Sequence, residues 1–191
     1  MTAICFPAPT ETPIKNALDG RPYALRRADA LEPTAARLEQ IAAVCNEPDP
    51  YGWLFKEALG GRAYTAEDAA GWLTWAAAGW RDNTHFVFAA LDAQGQVAAA
   101  CDIKSNDPSW AEIGYWSSRR HRGVMTNIVL AVSRQAREAG FETLFARTRR
   151  GNARSVGVLQ RAGFAEAPER SATDGAYDWF TLNMERPNAE K

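Results

Sequence analysis

The stretch from Glu112 to Asn127 constrains the fold of this chain more than any other segment. An apolar, aromatic-rich run ends at two serines, and a short basic turn containing Gly123 follows. A long apolar helix pattern then begins at Val124. A strand, a basic turn and a helix in this order point several backbone N–H groups and the positive end of a helix dipole at one spot. Such a spot binds anions, most often the phosphates of a nucleotide-like ligand.

The composition is that of a folded, soluble chain with no general affinity for nucleic acid. Its 191 residues fit one domain with a substantial core. With 22 basic and 23 acidic residues, the formal net charge is −1, so a chain-wide basic field that attracts nucleic acid is absent. No apolar run approaches the roughly 20 residues that a membrane span needs. We therefore expect neither a nucleic-acid nor a membrane partner.

The cysteine and histidine content predicts reduced thiols and no metal site. Cys5, Cys45 and Cys101 are odd in number and show no CxxC spacing, which is typical of a cytoplasmic protein rather than a disulfide framework. Only His85 and His121 are available as imidazole ligands, and no metal-ligand motif surrounds them. We expect a cytoplasmic protein without a bound metal ion.

The periodicity of apolar residues predicts one domain with alternating strands and helices. Three prolines within residues 1–20 predict an irregular arm there, followed by a single domain over 21–186 and a short tail over 187–191. Strands are predicted at 22–27, 85–91, 97–103, 110–116, 143–148 and 176–184. Helices are predicted at 33–45, 66–82, 124–139 and 152–162. This order predicts an α/β (α+β) pattern around one mixed sheet.

Three segments together resemble the GNAT family of acyl-CoA-dependent N-acetyltransferases. They are Glu112-Ile113-Gly114-Tyr115-Trp116, the run Arg120 to Thr126, and Asn152-Ala153-Arg154-Ser155 with Gly163-Phe164 further on. The second segment resembles the family's pyrophosphate motif, which reads Arg or Gln, two residues of any type, Gly, any residue, then Gly or Ala. More narrowly, the chain resembles the branch that includes the bacterial ribosomal-protein N-terminal acetyltransferases.

The resemblance implies a fold, a reaction and its reactants. It implies the GNAT fold, a single, mostly antiparallel mixed sheet of about six to seven strands with helices on both faces. It implies acetyl-CoA as the acyl-donor co-substrate and direct attack by a primary amine, either a protein N-terminus or a small-molecule amine. The protein is expected to be a monomer or a homodimer, and no metal takes part.

The resemblance also assigns residues to the donor site. The N–H groups of the basic turn would hold the diphosphate, and the splayed end of the preceding strand would bind the pantetheine arm. The expected donor-binding residues are Trp116, Ser117, Ser118, Arg120, His121, Arg122, Gly123, Val124, Met125, Thr126, Asn152 and Ser155. Asn152 and Ser155 also fit the capping of a helix start. One arginine of the set Arg147, Arg149, Arg150, Arg154 and Arg161 could meet the 3′-phosphate, or all could be solvated surface residues.

Proton transfer needs a base for the amine and a partner for the departing thiolate. Glu112 is the predicted base because it lies on the strand beside the reactive centre, although a solvated or arginine-paired carboxylate is the alternative. Asp102 is a second candidate. Ser155, or a water molecule held by Asn152, would supply a hydrogen bond or a proton to the thiolate.

Two other functions remain open at this point. One is the acetylation of an amine-bearing antibiotic or toxin. The other is a catalytically weak acyl-CoA sensor. Met125 is compatible with the sensor function because it stands where the motif prefers a small residue. Leu159 is compatible with it because many family members carry a tyrosine there that protonates the thiolate.

Overall fold

One eight-stranded sheet organises the protein, whose computed structural model describes residues 3–7 and 11–184. The spatial order is β1-β2-β3-β4-β5-β6-β8-β7. The strands are β1 (Glu11–Lys15), β2 (Pro22–Arg27), β3 (Phe86–Leu91), β4 (Val97–Ile103), β5 (Ala111–Ser117), β6 (Thr143–Arg149), β7 (Ala165–Glu166) and β8 (Tyr177–Asn183). The predicted mixed sheet is confirmed, with one strand more than the upper prediction.

Six α-helices accompany the sheet in the part of the chain that the structure describes. They are α1 (Ala35–Cys45), α2 (Pro48–Pro50), α3 (Ala66–Asp82), α4 (Met125–Glu138), α5 (Ala153–Arg161) and α6 (Pro168–Asp174). A π-helical turn at Tyr51–Phe55 extends α2, and a 3₁₀ turn at Arg119–His121 precedes α4. Within the described residues, no helix is both long and apolar enough to cross a membrane.

The alternation of side chains along β3 produces two cores, one on each face of the sheet. Phe86 and Phe88 lie in a cluster with α4 and α5, whereas Val87 and Ala89 lie in a cluster with α1 and α3. Since β3 is buried along its whole length, its sequence is apolar throughout rather than alternating. Helices therefore cover both faces, as predicted.

The predicted irregular arm over residues 1–20 is wrong for Glu11–Lys15, which forms β1 and pairs antiparallel with β2. Pro13 argued against a strand at this position, because proline cannot donate a ladder hydrogen bond. It is tolerated here since β1 is the edge of the sheet. The predicted tail over 187–191 lies outside the described residues.

The sheet is split between β5 and β6, the single parallel pair among its neighbouring strands. β5 pairs with β6 only at Ala111 and Glu112, while it pairs with β4 up to Ser117. The last residues of β5 therefore border a gap in the sheet.

Candidate active site

The open edge of β5 carries main-chain groups of two residues. The N–H of Ser118 donates to Ala98 O, and Glu112 O accepts from the N–H of Lys104, so the even-numbered residues of β5 face β4. In an antiparallel ladder the intervening residues face the other way. The N–H and C=O groups of Tyr115 and Ser117 therefore point toward the gap, where the described strands provide no ladder partner.

This register corrects part of the predicted pantetheine edge. Trp116 pairs with Ala100 in the ladder, and the amide of Ser118 is bonded to β4 as well. Of the three residues predicted to expose main chain, Ser117 alone faces the gap. Tyr115 joins it, although the sequence did not single it out. The side chain of Trp116 packs against Trp72, with ring centroids 5.7 Å apart.

The turn between β5 and α4 depends on Gly123. Its φ of +101° lies in the left-handed region, and an ideal Cβ would approach Asn16 Oδ1 to 2.4 Å. Asn16 donates its side-chain amide to Arg122 O at 2.9 Å, and the N–H of Ala17 donates to Gly123 O at 3.2 Å. The turn after β1 therefore supports this loop from outside, and only glycine leaves the space.

The amides of the loop divide into engaged and open groups. The N–H groups of Arg119, Arg120, His121 and Val124 donate to acceptors within the protein. Within the described part of the chain, no acceptor meets the N–H groups of Arg122, Gly123, Met125, Thr126 and Asn127. The open donors thus lie around the first turn of α4, where an anion is stabilised by both the amides and the helix dipole.

The contacts of His121 do not favour the predicted binding of a phosphate. Its Nδ1 lies 2.9 Å from Tyr23 Oη, and its Nε2 lies 3.9 Å from Asp92 Oδ2. Burial lowers the pKa of His121, and Arg21 and Arg120 add to this effect while Asp92 and Glu47 oppose it, so the neutral ring is favoured. His121 therefore anchors the loop to β2 rather than adding positive charge to it.

Met125 does not crowd the open amides. Its side chain is 6% exposed and packs in the core beneath α4. Beside it, Arg161 of α5 donates from Nε to Thr126 Oγ1 at 3.3 Å. Arg161 brings a cation to the start of α4, and none of the described carboxylates pairs with it.

The start of α5 faces the open edge of β5. Asn152 Oδ1 accepts from the N–H of Ser155 at 3.2 Å, which confirms the predicted helix cap. Tyr115 Oη lies 2.8 Å from Ser155 Oγ and donates to Ser155 O at 3.1 Å. Burial raises the pKa of Tyr115, so its phenol stays protonated. Leu159, one turn on, is fully buried in the core.

The other predicted phosphate-binding arginines are paired with carboxylates. Arg149 forms a two-point ion pair with Glu57, and Arg154 pairs with Asp49. Arg150 Nε lies 3.7 Å from Asp178 Oδ1. Arg161 is therefore the arginine of the set best placed for a phosphate.

The two candidate bases have different surroundings on the same face of the sheet. Glu112 Oε1 accepts from Lys104 Nζ at 2.8 Å, and its Oε2 accepts from Arg147 at 3.0 Å. Both carboxylate oxygens thus meet cations. This matches the arginine-paired alternative for Glu112, and its role as a base stays a prediction.

Asp102 lies over the strand that borders the gap. Its Oδ1 would lie only 2.7 Å from a Cβ on Gly114, the residue opposite it in the ladder. None of the described side chains bonds to the Asp102 carboxylate. Burial raises the pKa of Asp102, and Glu112 adds to this effect, while Lys104 opposes it.

Other reactive groups are not assembled into a site. All three cysteines are free thiols, and burial raises the pKa of Cys45 to about 12. The described residues contain no cluster of three or more His, Cys, Asp or Glu side chains suited to a metal ion.

The family of the chain follows from the comparison with known domains. The acetyltransferase (GNAT) domain model matches residues 30–165, well over half of the sequence. The chain belongs to the GNAT family. This match runs from just before α1 to the first residue of β7, and it includes the split between β5 and β6 and the loop before α4.

Solved structures share this GNAT fold over most of their length. RimJ of Mycobacterium smegmatis, in complex with CoA-disulfide, has 16% identity and a TM-score of 0.70, over 94% of this chain and 90% of that one. Ribosomal-protein-S5-alanine acetyltransferase of Vibrio fischeri has 16% identity and a TM-score of 0.63, over 88% and 96%. Spermidine N-acetyltransferase of Vibrio cholerae, with CoA and spermine, has 14% identity and a TM-score of 0.63, over 85% and 95%.

These comparisons confirm the predicted resemblance at the level of the family and the fold. Ribosomal-protein acetyltransferases are among the similar structures, as the narrower resemblance implied. At such low identities the likeness shows the fold alone. No curated protein sequence matches the chain.

Two residues of this candidate site were not predicted from the sequence. Tyr115 is one, because only the register of β5 shows that its main chain faces the gap and that its phenol reaches Ser155. Glu47 is another, since its partners Ser118 and Arg119 lie more than 70 positions away in the sequence. Their acidic and aromatic types were visible in the sequence, but their partners were not.

Proposed function

We propose that this GNAT domain transfers an acetyl group from acetyl-CoA to a primary amine, either a protein N-terminus or a small-molecule amine. One observation carries the proposal. The open edge of β5 at Tyr115 and Ser117 lies immediately before a loop whose open amides surround the start of α4. A single ligand with a diphosphate and an amide-containing arm can use both sets of groups at once.

The residues present fit such a donor. The N–H groups of Arg122, Gly123 and Met125 are suited to bind a diphosphate, and Arg161 supplies a nearby cation. The main-chain groups of Ser117 would pair with the arm in the way that a neighbouring strand would. Acetyl-CoA would supply the acetyl group as a thioester.

The base in this proposal is Asp102 rather than Glu112. The amine must lose a proton as the C–N bond forms and the C–S bond breaks, and a carboxylate can accept that proton. Both carboxylate oxygens of Glu112 already accept from cations, whereas none of the described side chains bonds to the Asp102 carboxylate. Glu112 would then hold Lys104 and Arg147 in place beside the cleft.

Ser155 and Tyr115 would stabilise the thiolate by hydrogen bonding. A phenol with a raised pKa is a weaker acid than a thiol, whose ordinary pKa is about 8.5. Neither this phenol nor a serine hydroxyl gives up its proton readily to the thiolate, so its proton comes from water in this scheme. The Tyr115–Ser155 pair supplies oriented O–H groups at the start of α5.

The experiment that tests the proposed function is an amine panel with acetyl-CoA. Release of free thiol would be followed with peptides bearing different N-terminal residues, with polyamines and with amine-bearing antibiotics. We expect thiol release that depends on at least one amine and yields the acetylated product by mass spectrometry. Tight acetyl-CoA binding without amine-dependent release would favour the sensor function instead.

A further inference from the structure

Glu47, between α1 and α2, reaches across the molecule to the end of β5. Its Oε1 accepts from Ser118 Oγ at 2.7 Å, and its Oε2 accepts from the N–H of Arg119 at 2.5 Å. Ser118 is 1% exposed, whereas Glu47 is half-buried and Arg119 is exposed, so the contact lies at the edge of the buried region. Hydrogen bonds to a carboxylate are among the strongest in proteins, and these two fix the first residues of the loop before α4.

The segment that follows Glu47 makes further ion pairs around the same gap. Asp49 pairs with Arg154 at the start of α5, and its Oδ2 lies 3.4 Å from Arg119 Nε. Glu57 pairs with Arg149 at the end of β6. Residues 47–57 are thus joined to the loop, to α5 and to β6, all of which border the candidate donor site.

The hydrogen-bond donors that bind Glu47 are not the open N–H groups of the loop. It takes the hydroxyl of Ser118 and the amide of Arg119, whereas the open amides begin at Arg122. Ser118 Oγ in turn accepts from the N–H of Arg120 at 3.2 Å. The carboxylate therefore supports the loop upstream of the open amides and does not stand in their place.

We propose that Glu47 is a positioning residue for the acyl donor, which acts through Ser118 and Arg119 to hold the loop amides in their binding arrangement. The proposal rests on the proposed function and adds to it a link between the segment 47–57 and donor affinity. An internal carboxylate that competed with the donor's phosphates would have the opposite effect, because its removal would tighten binding.

Acetyl-CoA affinity of the Glu47→Gln variant tests this proposal. Glutamine keeps one acceptor oxygen, but its NH₂ group cannot accept from Arg119. Loss of one charge-assisted bond predicts a Kd for acetyl-CoA about tenfold higher by calorimetry. Glu39→Gln is the matched control, since it removes the same charge from an exposed position on α1 that makes no contact with the loop.

Three further readouts separate positioning from a general structural effect. Glu47→Asp, which retains the charge, should bind more tightly than Glu47→Gln. Ser118→Ala combined with Glu47→Gln should weaken binding by less than the product of the single effects, because both changes break one connection. With the fastest amine of the panel, the KM for acetyl-CoA should rise while kcat at saturating donor stays near wild type.

The outcomes distinguish this proposal from the proposed function. Wild-type binding together with an unchanged or tighter Kd for Glu47→Gln would overturn the role of Glu47 and leave acetyl transfer intact. Failure of the wild-type protein to bind acetyl-CoA would refute the proposed function and this proposal with it. If Glu47→Gln does not fold, the acetyl-CoA affinity of Glu47→Asp is measured instead, alone and combined with Ser118→Ala. A Kd equal to that of the wild-type protein in the Glu47→Asp, Ser118→Ala double variant would contradict the proposal.

Discussion

Two carboxylates share the face of the sheet beside the gap, and their surroundings give them different chemistry. Glu112 is held between Lys104 and Arg147. Asp102 lies over Gly114, and burial raises its pKa. A carboxylate is an effective general base when its pKa is raised toward the working pH and it is free to accept a proton. These conditions favour Asp102.

The pH dependence of turnover distinguishes the two carboxylates. In the wild-type protein, turnover should fall as the pH drops through the raised pKa of Asp102, because the protonated acid cannot accept a proton. Asp102→Asn should lower turnover and remove this acidic limb. Glu112→Gln should lower turnover but retain the limb. All three proteins would be measured with the same amine, so that the ionisation of the amine is common to them. Loss of the limb in Glu112→Gln alone would assign the base to Glu112.

The ionised Asp102 carboxylate should also lower the free energy of unfolding at neutral pH. Because the folded protein binds this proton more tightly than the unfolded chain, the free energy of unfolding falls as the pH rises through the raised pKa. Asp102→Asn should therefore be more stable than wild type at pH 7, and its advantage should shrink at pH 4 in urea unfolding. Asp107→Asn is a control of opposite sign, since hydrogen bonds from Ser109 lower the pKa of Asp107. An Asp102→Asn variant less stable than wild type at pH 7 would contradict this account.

At the scale of elements, the loop before α4 depends on a backbone conformation that other residues resist. Gly123 has a φ of +101° and lies against Asn16, whereas Gly140, just after α4, has a φ of +100° with open space around it. An L-residue in this region costs about 1–2 kcal/mol at either position. Only at Gly123 must the neighbouring chain also move.

The pair of variants Gly123→Ala and Gly140→Ala isolates the contribution of the loop. Both should lose stability from backbone strain in thermal unfolding, and Gly123→Ala should lose more because its Cβ also meets Asn16. Gly123→Ala should in addition weaken acetyl-CoA binding about tenfold or more, because the displaced loop no longer aligns its amides. Gly140→Ala should bind acetyl-CoA like wild type. Equal affinities for the two variants would show that the loop geometry does not determine donor binding.

Strands and helices were predictable from the sequence where apolar periodicity or a capping residue marks them locally. β2 and β4 were predicted with the observed bounds, and the capping box of Thr65 and Asp68 starts α3 as expected. β1 was missed because Pro13 argues against a strand wherever the edge position is unknown. β7 has only two residues, too few for a period to appear.

The site was less predictable, because its details depend on register and on distant pairs. The predicted turn between a strand and a helix is present before α4, and its role in donor binding stays a prediction. The open main chain is at Tyr115 and Ser117 rather than at Trp116. A shift of one residue in the pairing of β5 with β4 would turn the main-chain groups of the other residues toward the gap. The sequence alone does not give this register. The contacts of Glu47 join segments about 70 residues apart, so no local pattern predicts them.

At the scale of the whole molecule, the sheet separates two kinds of surface that meet at the gap. The face covered by α4 and α5 carries the open amides and Arg161. The opposite face carries Asp102, Glu112 and the segment 47–57, with α1 and α3 above it. A donor bound from the first face and an amine approaching from the second would meet where β5 and β6 diverge.

Binding of the diphosphate by the loop is tested by backbone amide NMR with acetyl-CoA and with an acetylated pantetheine fragment that lacks the diphosphate. We expect large shifts at the amides of Arg122, Gly123, Met125, Thr126 and Asn127 with acetyl-CoA. The fragment should leave those amides nearly unmoved and shift Ser117 instead. Acetyl-CoA binding that leaves the five amides unchanged would contradict the claim that they hold the diphosphate.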